Sequence, residues 1–123
     1  MSNAPLSSGD QFGVSVDVEH HESATVLRVA GELDLLTTPT FAQACERELA
    51  KRPPVLVIDL TGVTFLASVG MSAMVAANDA AGEHTAVRVV SGSRETLRPF
   101  RVTGLDSLLS VYPTLPAALA GIT

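Results

Sequence analysis

The sequence has no tryptophan, aromatics at only 4%, and a single cysteine in 123 residues. With so few rings, the core has to come from Val, Leu, Ala and Ile, which favours helices packed on a sheet over an aromatic-rich barrel. One cysteine excludes an internal disulfide and fits a reducing compartment. Cys45 falls in an expected helix, where it reads as a small packed side chain. A reactive thiol wants cationic neighbours, and Arg47 should point elsewhere on the helix. No apolar run approaches the roughly 18 residues a membrane span needs. Met1 to Gln11 lacks a basic region followed by an apolar run, so no signal peptide is expected. Basic residues are scarce too, 8 against 13 acidic, for a net charge of −5. That balance argues against nucleic acid and against anionic membrane surfaces as partners. Catalytic signatures are missing as well: no G-x-S-x-G elbow, P-loop, G-x-G-x-x-G or H-E-x-x-H.

What is present is globular: 46% apolar and 17% charged residues, in a chain of one domain's length that buries roughly two-thirds of its unfolded surface. Residues 1–11 read as a loose N-terminal tail, and residues 12–123 as the domain. From Phe12 to Glu19, Val14, Val16 and Val18 alternate with polar residues, as in a half-buried strand. His20 to Ser23 form a turn, and Ala24 to Ala30 a second strand, closing an antiparallel hairpin. Gly31-Glu32-Leu33-Asp34 then breaks the strand. Thr37, Thr38 and Pro39 suggest a capped helix start with proline at its first position. That helix runs to about Ala50, with Phe41, Ala42, Cys45 and Leu49 near one face.

Val55 to Leu60 is an apolar run expected to be covered on both sides. Thr61 to Leu66 reads as a loop with apolar anchors. Ser68 opens a second helix that Gly82 ends, and Ala86 to Val90 is another buried strand. Ser93 could cap a third helix that Pro99 kinks or delimits. A short strand over Ser107 to Val111 and a helix over Pro113 to Ala120 finish the chain. Helices that follow strands imply parallel, right-handed crossovers.

Few side chains suggest chemistry. His20, His21 and His84 read as solvated turn residues, since adjacent strand residues face opposite ways. Asp59 ends a buried strand, but the acidic pair a receiver domain needs after its first strand is absent. Ser68 is the informative position. A hydroxyl there can cap the helix, and the same place suits a phosphate, because free N–H groups and the helix dipole favour negative charge. Gly70 removes side-chain bulk and lets another protein approach the backbone. From spacing alone, a plain N-cap is the leading reading. Arg94, Arg98 and Arg101 form the one basic cluster, read as a solvated face or as a dock for an acidic surface or nucleotide.

The stretch Val57 to Met71 (VIDLTGVTFLASVGM) resembles the signature of STAS domains of the anti-sigma factor antagonist type. Gly31-Glu32-Leu33-Asp34 with Thr37-Thr38-Pro39 is similar to the family's G-E-[LI]-D loop, and Thr103-Gly104-Leu105-Asp106 to its T-G-L-D. The resemblance covers about residues 13–120. It implies a STAS-type α/β fold, with a mixed sheet of four to five strands, an opening antiparallel hairpin then βα units, and about four helices.

By function, it implies a cytoplasmic partner-switching module that is not itself an enzyme and carries no cofactor. Such a module binds an anti-sigma factor, usually a serine kinase of GHKL type, and so frees a sigma factor. The kinase uses ATP to phosphorylate the matching serine, here Ser68; binding is then lost until a PP2C-type phosphatase reverses the step. Glu32, Asp34, Thr37 and Thr38, with Ala67, Val69, Gly70 and Met71, correspond to the partner-facing surface. The family's D-S-[ST]-G has become Ala67-Ser68-Val69-Gly70. Two readings stay open: an antagonist whose kinase accepts Ala67, or a non-phosphorylated STAS scaffold in a larger assembly.

Overall fold

A computed structural model describes residues 13–121; the expected tail, residues 1–11, and the start of the first strand at Phe12 lie outside the described residues. The elements are β1 (Val14–His20), β2 (Thr25–Leu33), α1 (Thr38–Leu49), β3 (Val55–Leu66), α2 (Ser68–Ala81), β4 (Ala86–Val90), α3 (Arg94–Thr103), β5 (Ser110–Tyr112) and α4 (Leu115–Leu119), with one 3-10 turn at Leu105–Ser107. The five strands lie in sequence order in one mixed sheet. β1 and β2 form the antiparallel hairpin, and β2, β3, β4 and β5 run parallel, each joined to the next by a helical crossover.

The alternation of each strand divides the core in two. One face presents Leu27 and Val29, Leu56 and Ile58, and Val87 and Val89 to Phe41 of α1, Met74 of α2 and Phe100 of α3. The other presents Val26, Val57 and Val90 to Ala118 of the short α4. Every residue from Val55 to Leu60 is buried, as expected of a strand covered on both faces. In α1 the buried set is Thr38, Phe41, Ala44, Cys45 and Glu48, so the inward face is centred toward Ala44 and Glu48, with Leu49 packed at its edge and Ala42 only half-buried.

Several boundaries differ from the sequence reading, for one reason. β2 does not break at Gly31 but continues to Leu33, and Thr61 to Leu66 is not a loop but the second half of β3. The two extensions pair with each other past the end of β4, with register shifts at Arg28/Ala30 and Gly31/Glu32. Gly31 permits this bend: its φ is +101°, and a Cβ there would sit 2.0 Å from the Gly13 carbonyl oxygen. At the C-terminal end, the last strand and helix are shorter than expected, and the strand starts later. Ser107 belongs to the 3-10 turn, and Thr114 accepts the Ala117 N–H to cap α4. α3 is capped as expected: Ser93 accepts the Thr96 N–H, and Gly104 closes the helix in the left-handed region.

Candidate functional site

The β2 and β3 extensions bring two chain exits side by side. Leu33 is the register partner of Leu66, and the Ala67 N–H donates to the Leu33 carbonyl at 2.8 Å. The loop from Asp34 to Thr37 therefore lies next to the first turn of α2.

That loop is wired internally. Asp34 Oδ1 accepts the N–H groups of Leu36 and Thr37, each at 3.0 Å. Thr37 Oγ1 donates to the Glu32 carbonyl at 2.7 Å and accepts the Asp34 N–H at 2.9 Å. Thr38 Oγ1 donates to the Asp34 carbonyl at 2.6 Å. α1 thus starts at Thr38 with no side-chain cap from Thr37. The Asp34 carboxylate serves the two loop N–H groups ahead of the helix, and the first-turn N–H groups of Thr38 and Thr40 go to the backbone carbonyls of Asp34 and Thr37. The Thr37 N–H, then its hydroxyl and the Leu36 N–H, hold the Asp34 carboxyl below its usual range, because each bond favours the charged form.

This wiring turns the loop's apolar side chains outward. Leu35 and Leu36 are 80% and 67% exposed. Phe65, the register partner of Glu32, is 52% exposed; it was expected as an apolar anchor, but only Val63 and Leu66 of its stretch are buried. Large apolar side chains grouped on a surface mark binding sites. The sequence reading named none of the three individually as a partner-facing residue, because nothing local to the sequence marks an apolar residue as exposed.

Ser68 is not the N-cap of α2. The cap position is Ala67, in extended conformation, and Ser68 is the first helical residue. Gly70 and Met71 N–H groups turn back to the Ala67 carbonyl. The Ser68 side chain is exposed and makes no hydrogen bond among the described residues. Beneath it, Gly70 lets the helix sit against β2: a Cβ there would lie 3.0 Å from Leu66 Cδ1 and 3.1 Å from Leu33 Cβ. Of the other expected partner-facing residues, Glu32 is exposed, and Asp34, Ala67 and Val69 are half-buried. Thr37, Thr38, Gly70 and Met71 are buried and shape the surface from below.

The remaining candidates lie elsewhere. Asp59 is buried, ion-paired with Arg28 at 3.5 Å and accepting the Thr61 N–H at 2.9 Å, a structural role. His20 is not a free turn residue, because its Nε2 lies 3.2 Å from the buried Glu48 carboxylate, which Lys51 also meets at 3.2 Å. Burial pushes the Cys45 thiol up to about 12, so it is no nucleophile. Among the described residues no three His, Cys, Asp or Glu side chains gather into a metal-holding group, and no helix is long and apolar enough to cross a membrane.

Fold and site together define a class: a small α/β domain whose mixed five-stranded sheet presents a serine-bearing helix tip and an apolar loop at one end. The chain belongs to the STAS domain family, whose model matches residues 15–118. Its relatives are anti-sigma factor antagonists. It is 36% identical to the anti-sigma-F factor antagonist RsfB of Mycobacterium tuberculosis, over 89% of each chain. It is 30% identical to the anti-sigma-B factor antagonist of Listeria monocytogenes, over 81% of this chain and 90% of that one. A crystal structure of an anti-sigma factor antagonist from Mycobacterium paratuberculosis superposes with a TM-score of 0.85 at 40% identity, covering 95% of this chain and 98% of that one.

Proposed function

We propose that this protein is an anti-sigma factor antagonist switched by phosphorylation of Ser68. In its unmodified state it binds an anti-sigma factor of the GHKL serine kinase type in the cytoplasm, and a sigma factor is released. The kinase transfers a phosphate from ATP to Ser68 Oγ, and a PP2C-type phosphatase removes it. The chain contributes a docking surface and an acceptor hydroxyl, with no catalysis and no cofactor of its own.

The observation that carries this reading is the exposed, unbonded Ser68 hydroxyl on the first turn of α2, beside the outward-facing Leu35, Leu36 and Phe65. A kinase needs an acceptor it can reach without unfolding its substrate. An apolar surface of this kind supplies affinity by burying area. A phosphate here adds about −1.5 to −2 charges. The open end of α2 tolerates that charge within the domain. A partner pressed against the apolar loop does not, because the phosphate must be desolvated and meets the carboxylates of Glu32 and Asp34. Losing about 3 kcal/mol would weaken binding by more than a hundredfold.

The test is incubation with the source organism's anti-sigma factor kinase and ATP, read by intact mass. One phosphate on the wild type, absent from Ser68→Ala, supports the switch. A kinase that binds the protein but leaves it unmodified would favour the scaffold reading, to which Ala67 in place of the family's aspartate gives weight.

A further inference from the structure

We infer that the outer face of α3 is a second contact for the same anti-sigma factor, one that receives an acidic segment carrying an apolar anchor. The inference rests on the antagonist reading and adds to it a surface that the serine and its loop do not include.

Arg94, Arg98 and Arg101 are spaced by four and three residues, so they form one stripe about 10 Å long on a helix. They line an open groove of about 720 Å³ together with Glu95, Leu97, Pro99 and Val102, so three guanidinium groups face one carboxylate there. Val102 is 75% exposed. The chain's other cations are largely occupied: Arg28, Arg47 and Lys51 pair with carboxylates, and Arg88 donates to the Ala118 carbonyl and stacks on Tyr112. Among the described residues no carboxylate pairs with Arg94, Arg98 or Arg101. Glu95 on the same helix and Asp106, which shares a second groove with Arg101, leave them unpaired. In a protein of net charge −5, three of the cations without a carboxylate partner thus share one helix face beside the exposed Val102, while Arg52 and Arg88 lie elsewhere. Guanidinium groups are suited to carboxylates, and opposite charge at an interface mainly speeds encounter.

Position links this face to Ser68. The loops after β2, β3 and β4 all leave the same end of the parallel strands, so α3 starts at the end where α2 starts. α3 then packs beside β3, the strand that leads into Ser68. One partner seated on the helix tip of α2 can therefore reach Arg94. A nucleotide is a poorer match, because the groove is open and Ser93 already takes the Thr96 N–H at the start of α3.

The experiment measures association of the anti-sigma factor with wild-type protein and with the triple variant Arg94→Glu, Arg98→Glu, Arg101→Glu, across salt concentrations. Charge reversal should slow association at least tenfold at low salt and flatten its salt dependence, while the triple Lys variant stays near wild type and melting is unchanged. Wild-type rates in the reversed variant would overturn this inference and leave the antagonist reading standing. A wild type that fails to bind the anti-sigma factor would overturn both. A shift in melting with ATP or GTP that the reversed variant loses would overturn it in favour of a nucleotide site.

Discussion

Asp34 governs the β2–α1 loop. Its carboxylate takes the N–H groups of Leu36 and Thr37, and those bonds lower its pKa. A lowered folded-state pKa means the ionised form is favoured in the native protein. Its contribution is complete above the ordinary value of 3.8 and is lost as pH falls through the lowered one. Asp34→Asn should therefore flatten the loss of stability below that value, read by denaturant melts as a function of pH. An unchanged acid limb would mean that the bonds to Leu36 and Thr37 do not form in solution. Leu36 poses the opposite case. It is 67% exposed, so truncation to alanine should change stability by no more than about 0.5 kcal/mol. If the loop anchors the partner, the same change should weaken binding by about tenfold or more. Calorimetric titration beside a thermal melt separates the two effects. The role of Asp34 was not legible in the sequence, where Thr37-Thr38-Pro39 offers a more familiar start. Which loop N–H groups the carboxylate reaches depends on the path of the loop, which leaves β2 where that strand pairs with β3.

Two glycines hold the elements of the site together by different means. At Gly31 the backbone is in the left-handed region and the added Cβ would overlap the Gly13 carbonyl oxygen. Gly31→Ala should cost about 3 kcal/mol or more. Gly70→Ala is a closer contest. Alanine gains up to about 1 kcal/mol of helix propensity, but crowding against Leu33 and Leu66 costs about 1–3 kcal/mol. A net loss of about 1 kcal/mol is expected, with α2 displaced from β2; urea melts of both variants check the ranking. At this scale the sequence was most informative where periodicity was local. The alternation in β1, the apolar run of β3 and the Ser93 cap of α3 were all readable. Thr61 to Leu66 was not, because Thr-Gly-Val-Thr has weak strand character alone and becomes β-structure only through a ladder to β2, 33 residues away at Leu33–Leu66. The same nonlocal pairing decides that Phe65 points outward.

Over the whole molecule, the parallel sheet gathers the candidate site at one end. Three crossovers return each helix to the same face, and the exits of β2, β3 and β4 place the apolar loop, Ser68 and the start of α3 together. Among the described residues, the opposite face carries α4 and the Arg28–Asp59 ion pair. From spacing alone Ser68 read as the cap of an apolar helix, and only the family resemblance proposed it as a phosphoacceptor; the structure makes it the first helical residue. Its neighbours Leu35, Leu36 and Phe65 were not legible, since nothing in composition marks an apolar residue as exposed. The central claim is that charge on this one hydroxyl decides partner binding. The direct test is calorimetric titration of the anti-sigma factor with two preparations of the protein, unmodified and stoichiometrically phosphorylated at Ser68. The account predicts binding at least a hundredfold weaker for the phosphorylated protein, with the folded state equally stable. Equal affinities for the two preparations would contradict it.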